Sequence, residues 1–417
     1  MINKFSIVLA IGIALRLIIA SITYHSDIQA FDFTGGILAS GKILNFYDVL
    51  SSLPQNSEII KHYPASVFNY PPLVYFLFFI LNSVGNIGKD PAFYQFFLFD
   101  VSQVLGTFQL NLHLILLKIP YLLFDIPLAF LLGRMFDKRK LLVFTLWIFN
   151  PVNLYATYMM GQFDIVPTFF VVLSLYLISK SPLKEKNIWW AVLLLGFGSC
   201  FKIYPLLLLP VVAFLFTSYQ KKIAALILGI IPYLLITFLY IPSVGFRTYA
   251  LVANQTLKSL YPQIPISGGE SIILFLAFLG FFYLLFWEIK GSIENLWQRF
   301  FIILLLFFTF THYHPQWFLW LTPFLIFTLV KSNFKNTLMV IFSLISFTGL
   351  VFLFEQGLNL GLFSVINPAL YNGQNLWVLL KIPIEVNLGR SILQTIFVST
   401  SIYYIYLYFP KKIVQEV

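Results

Sequence analysis

Apolar stretches of about 20 residues recur along the whole of this 417-residue chain, starting with KFSIVLAIGIALRLIIASI at 4–22. That is about the length an α-helix needs to cross the hydrocarbon core of a bilayer. Their repetition leaves few folds open. Lipid offers backbone N–H and C=O groups no partners, so an open chain can satisfy them only within helices. The alternating pattern of a membrane β-barrel is absent. A soluble surface needs about a quarter of its residues charged, and only 10% are charged here. The sequence therefore predicts an all-α polytopic membrane protein, read as a single membrane domain over 1–417.

Three features could mislead. The segment 5–23 has the length of a signal peptide, but Arg16 interrupts it and no small-residue cleavage site follows, which predicts a retained anchor. The lone cysteine, Cys200, lies in an apolar run and reads as a packed thiol. The net charge of +10 suggests a nucleic-acid partner only until the basic residues are placed, because they sit in short loops between apolar runs. That is a topology signal, with the lipid bilayer as the partner and no nucleic acid.

Spans are expected near 5–23, 113–134, 141–159, 165–180, 189–201, 205–219, 223–241, 271–288, 300–312, 317–330, 337–354 and 390–408. The segments at 189–201 and 205–219 are short and read as broken or tilted. Tyr70–Leu81 and Ala92–Leu105 are too short or too amphipathic to span, and read as interfacial helices within an external region, 24–111. This arrangement puts 16 of the 26 Lys and Arg residues inside and 9 at the outer side, with Arg16 inside the first span. Making Tyr70–Leu81 a span would turn the DKRK cluster at 137–140 outwards. Positive-inside bias thus favours about twelve spans with both ends in the cytoplasm.

With that topology the polar motifs gather on the outer side: Asp27 and Asp32, NYPP at 69–72, GQFD at 161–164, FKIYP at 201–205 and THYHPQW at 311–317. Each has a bland reading. Asp27 can N-cap a helix beginning at Ile28. Asp164 precedes an apolar run with Pro167 near its start, an ordinary helix N-terminus. Asp125 needs a partner inside its span, and Lys118 lies two turns away on the same face. Lys202 can snorkel to the interface. Asp32 lies five residues after Asp27, about 140° round a helix, so only one of the two can point squarely into a site. His312 and His314 lack a nearby third ligand for a metal, and no P-loop, GxSxG or GxGxxG in context appears.

Taken in order, the motifs resemble the GT-C superfamily of integral-membrane glycosyltransferases. The likeness is to polyprenyl- or dolichyl-phosphate-mannose-dependent mannosyltransferases, including relatives of the GPI-anchor mannosyltransferase. The residues that carry it are SDIQAF at 26–31, SGKILNFY at 40–47, Tyr70–Pro71–Pro72, KIPYLLFDIPLAFLL at 118–132, Asn150–Pro151, GQFD, KIYPLLLLP at 202–210 and HPQW at 314–317. They lie in Arg16–Pro210 and Thr311–Pro323. The motif-bearing part is 1–241, and 242–417 reads as more variable helices.

The resemblance implies an inverting sugar transfer, most simply of mannose. The donor would be a polyprenyl-phosphate-linked sugar, the acceptor a glycan or lipid-linked molecule, and the site would face the non-cytoplasmic side of a plasma or endoplasmic reticulum membrane. It puts Asp27, rather than Asp32, in the place of the catalytic carboxylate. A positioned carboxylate can take the acceptor proton during attack. The phosphate leaving group needs positive charge or hydrogen-bond donors, for which Lys202, Tyr204, His312, His314, Arg16 and Arg247 are candidates. Tyr70, Gln162, Asp164, Gln316, Trp317 and Lys118 are candidates for binding substrate. No metal or other cofactor is required by this logic. The rival readings are a transporter or flippase of a lipid-linked sugar, which would show inverted repeats with broken helices, and an acyl- or phosphoethanolamine transferase.

Overall fold

The computed structural model describes residues 4–54, 56–85, 90–180, 182–251, 253, 257–289 and 293–410. It is built almost entirely of helices; the strands among the described residues are one antiparallel pair, Gln263–Pro265 with Ser271–Ile273. Among the described residues, five segments are long and apolar enough to cross a membrane: Lys4–Ile22, Phe108–Arg134, Lys140–Met159, Tyr219–Phe238 and Ile293–Phe310. Shorter apolar helices stand beside them, Ile165–Ile178 and Thr337–Leu353 among them. The chain is an all-α polytopic membrane protein.

Each of the twelve expected spans contains helical structure, and the one expected at 271–288 opens on the strand Ser271–Ile273 before its helix begins at Leu274. The segment expected at 205–219 is a 3-10 turn, Tyr204–Leu208, followed by one short helix, Leu209–Ala213. Pro205 and Pro210 account for the break, since each removes an N–H from the helical ladder. The two interfacial segments are helical at Pro72–Gly85 and Pro91–Phe99, the second opened by Asp90, whose carboxylate accepts from the Ala92 amide. Lys89, Lys290, Lys411 and Lys412, counted in the charge balance, lie outside the described residues.

Burial of apolar surface does little to hold helices together in lipid, so tight packing and buried polar bonds must do so. The clearest such group surrounds Asp125. Its carboxylate accepts from Arg16 Nε (2.6 Å), Trp147 Nε1 (2.7 Å), Asn153 Nδ2 (2.8 Å) and the Tyr158 hydroxyl (2.8 Å). Arg16 adds a bond to the Ile148 carbonyl at 2.8 Å. The first helix, Leu122–Arg134 and the 140–159 segment are thereby joined at one fully buried point.

The expected Lys118–Asp125 pairing is therefore not the one formed. Between the two, Pro120 opens a 3-10 turn at Ile119–Tyr121, so they no longer share a straight helix face. Lys118 instead donates to the carbonyls of Ala20 (3.1 Å), Thr23 (2.6 Å) and Met159 (3.4 Å). It ties the end of the first helix to the segment that leads into GQFD.

Candidate active site

The first helix ends at Ile22, and a second, Ser26–Ala39, starts almost at once. His25 is its N-cap, accepting from the Asp27 amide through Nδ1 at 3.2 Å. Asp27 is thus in the first turn and is not the cap that the sequence suggested, which frees its carboxylate. That carboxylate accepts from Gln162 Nε2 at 2.5 Å and keeps 41% of its side chain exposed. Asp32, on the opposite side of the same helix, is fully buried beside His113 Nε2 at 3.1 Å. The helical phase that separates the two residues has divided their environments.

GQFD reaches Asp27 through a tight turn. Gly161 has φ +71°, and a Cβ there would stand 2.6 Å from Ile28 Cδ1, so this close approach requires glycine. Its carbonyl accepts from the Tyr121 hydroxyl at 2.8 Å. Asp164 does not cap the following helix with its side chain. One of its oxygens, Oδ1, accepts from both Lys202 Nζ and Trp320 Nε1 at 2.6 Å, and its other oxygen is buried without a partner.

Lys202 does not snorkel outwards. Its ammonium lies between the rings of Tyr70, Phe163, Trp317 and Trp320, with centroids 5.2–5.7 Å away. Burial lowers its pKa, opposed first by Asp164. Electrostatic attraction to the faces of four rings suits a cation held in this position.

Two cavities meet at this point. The polar one, about 180 Å³, is lined by His25, Asp27, Asn69, Tyr70, His314, Gln316 and Glu355. The larger, about 380 Å³, is mainly apolar and includes Lys202, Tyr204, Leu207, Phe307, Trp317 and Trp320. Asn69 and Tyr70 line both. Tyr70 is held in place by the Tyr47 hydroxyl, which donates to its carbonyl at 2.6 Å. Unpartnered buried polar atoms concentrate here: Asn69 Oδ1, Gln162 Oε1, Gln316 Oε1 and Trp317 Nε1. Buried polar groups are nearly always bonded, and this set offers partners to a hydroxyl-rich ligand.

The structure gathers Asp27, Tyr70, Gln162, Asp164, Lys202, Tyr204, His314, Gln316 and Trp317 around these cavities. Of the six candidates for the donor phosphate, Lys202, Tyr204 and His314 line these cavities, whereas Arg16, Arg247 and His312 lie elsewhere. Arg16 is spent on Asp125, deep in the bundle. Arg247 donates to the carbonyls of Ile241 and Pro242, because it sits on a surface turn just after them. His312 faces a different cleft, with Asn387 and Arg390. Tyr204 stacks on Trp320 at 4.1 Å, and its hydroxyl meets that of Thr168 at 3.2 Å. Burial is the first cause that lowers His314, to about 4, with Lys258 next, so its ring is neutral at pH 7.

Sequence reasoning passed over His25, Trp320 and Glu355. His25 and Trp320 carried a signal, since each stands within three residues of a chosen residue. Glu355 had none; the C-terminal turn at Gln356–Leu358 brings it in, and Tyr155 fastens that turn by donating to the Leu358 carbonyl at 2.7 Å.

A family model described as glycosyltransferase family 87 matches residues 68–307, more than half of the chain. That range contains Asn69, Tyr70, GQFD and Lys202, and leaves Asp27 and His314 outside it. No curated protein and no solved structure matches.

Proposed function

The chain belongs to glycosyltransferase family 87, and from that premise we propose that it moves mannose from a polyprenyl-phosphate donor to a glycan or lipid-linked acceptor, with inversion. The observation that carries this reading is the junction of the two cavities. A carboxylate stands in the polar one, a buried cation stands in the apolar one, and Asn69 and Tyr70 belong to both.

The division of labour follows from the linings. The apolar cavity suits the first isoprene units of the donor, with aromatic faces for the chain and the sugar. An acceptor hydroxyl enters the polar cavity and attacks the anomeric carbon. As the new C–O bond forms, Asp27 takes the hydroxyl proton. The bond from the anomeric carbon to the phosphate oxygen breaks on the far side, and polyprenyl phosphate leaves. Charge growing on that phosphate is met by Lys202 and by hydrogen bonds from Trp317 and His314, and it needs no strong acid. Attack and departure on opposite faces invert the anomeric centre, and a single base suffices. Asn69, Gln162 and Gln316 accept from sugar hydroxyls, since each offers a buried carbonyl oxygen with no partner among the described residues.

The site opens on the non-cytoplasmic face, on the strength of the lysine and arginine distribution. The test is to incubate the purified protein with radiolabelled polyprenyl-phosphate-mannose, polyprenyl-phosphate-glucose and a lipid-glycan extract. Label entering a glycan from the mannose donor is expected. Transfer from the glucose donor alone would change the sugar. Transfer from neither lipid donor, with label entering the glycan from a nucleotide sugar in a parallel incubation, would overturn the donor class.

A further inference from the structure

A second polar cleft lies among the C-terminal helices, between Leu296–Phe310, Thr337–Leu353 and Val386–Leu407. Its volume is about 490 Å³, and its walls include Thr311, His312, Tyr313, Asn387, Arg390 and Gln394. None of its lining side chains is acidic. Among the described residues, the hydroxyls of Thr311 and Tyr313 have no hydrogen-bond partner although both residues are only 1% exposed. Arg390 is fixed in the wall: Nε and Nη2 donate to the Leu353 carbonyl at 3.1 and 2.6 Å, and the guanidinium lies 4.7 Å from the centre of the Phe354 ring. The nearby Glu385 carboxylate is occupied in capping its own helix through the amides of Asn387 and Leu388. One cation, Arg390, several hydroxyls and the His312 imidazole thus converge with no acidic side chain among the described lining residues.

We infer that this cleft binds the phosphate headgroup of a lipid, with Arg390 facing its charge and the His312 ring and the Thr311 and Tyr313 hydroxyls donating to its oxygens. A phosphate presents several strong acceptor oxygens to one place, which suits a set of converging donors better than a neutral ligand does. Lipid is at hand, because the three walls are apolar helices of a membrane protein. The site is distinct from the Asp27 cavity but close to it. The Phe354 ring lies 6.0 Å from that of His312 and 5.8 Å from that of His314, and His314 lines the Asp27 cavity.

The test reads binding and not sugar transfer, so it stands or falls apart from the proposed reaction. The full chain in nonionic detergent is titrated with dioctanoyl phosphatidic acid, with inorganic phosphate and with dioctanoylglycerol. Phosphatidic acid is expected to bind saturably, with Kd raised about tenfold or more in Arg390→Gln, a loss of at least one charge-assisted bond. Thr311→Val keeps the shape of its side chain, should leave thermal stability unchanged and should also weaken binding; it decides the matter if Arg390→Gln fails to fold. Asp27→Asn should bind as the unaltered protein does. Inorganic phosphate binding as tightly as phosphatidic acid would replace the lipid with the free ion. Equal binding of dioctanoylglycerol, or undiminished binding by both cleft variants, would overturn the site.

Discussion

Gln162 donates its side-chain amide to the Asp27 carboxylate over 2.5 Å, across 135 residues of chain. The bond is partly buried and charge-assisted, a kind worth about 1.5–3 kcal/mol. It occupies one carboxylate oxygen and sets the direction of the other. Gln162→Leu should therefore cut kcat by about 10- to 100-fold at 1.36 kcal/mol per decade, with donor binding little altered. Steady-state kinetics on folded protein decide; a change confined to KM would make Gln162 a substrate contact only.

The Arg16–Asp125 pair is fully buried and carries three further donors on the same carboxylate. Removing one partner strands a charge, at a cost of about 3–5 kcal/mol. Asp125→Ala should thus lose about that much in a denaturant titration in micelles. Asp125→Leu combined with Arg16→Met should recover part of the loss, because no charge is then stranded. A loss for Asp125→Ala within about 0.5 kcal/mol, as at an ordinary surface site, would show that the network does not hold the bundle.

The helical architecture was legible because the period and length of the apolar runs report directly on lipid, which tolerates little else. The nearness of several motifs was also legible: Tyr70, Lys202 and residues of HPQW line two adjoining cavities, and GQFD reaches them through Gln162 on Asp27 and Asp164 on Lys202. Partners were not. Lys118 looked like the mate of Asp125 on a straight helix, and only the turn at Pro120 sends it to three carbonyls instead. Arg16 and Asp125 are 109 residues apart, and no local pattern links them. Glu355 enters through a C-terminal turn whose sequence is unremarkable. Long-range contacts of this kind are set by how helices pack, and periodicity does not encode that.

Burial holds the His314 pKa at about 4, below the ordinary value near 6.5. Between these values the unfolded chain binds more protons than the folded one, so this residue's contribution rises with pH. It is fully present above about 6.5 and is lost as pH falls towards 4. Against His314→Gln, the unaltered protein should lose relative thermal stability on going from pH 7.5 to 4.5. An unchanged difference between the two across that range would show that His314 charges freely in the fold.

Sidedness rests on the lysine and arginine distribution. Cys200 is buried, so single cysteines can be introduced against a quiet background. In intact cells or oriented vesicles, Ser57→Cys and Gly373→Cys should react with an impermeant thiol reagent from the non-cytoplasmic side, and Lys138→Cys should not. Reaction at 138 from that side would reverse the bundle and put the Asp27 cavity on the cytoplasmic face.

Asp27 and Asp32 share one helix and differ in almost everything else. Asp27 lines a cavity and keeps 41% of its side chain exposed, whereas Asp32 is sealed beside His113. Replacement by Asn preserves size and most hydrogen bonding but removes the ability to take a proton. General-base assistance is typically worth about 10²- to 10⁴-fold. Asp27→Asn should therefore reduce turnover by about that factor with donor binding nearly unchanged, because the base acts on the acceptor only as the transition state forms. Asp32→Asn replaces the buried acceptor beside His113 with an amide, so it should lower thermal stability while turnover per folded molecule stays within about tenfold of the original. An inactive, well-folded Asp32→Asn together with an active Asp27→Asn would reassign the base. Activity in both would remove the Ser26–Ala39 helix from the chemistry altogether.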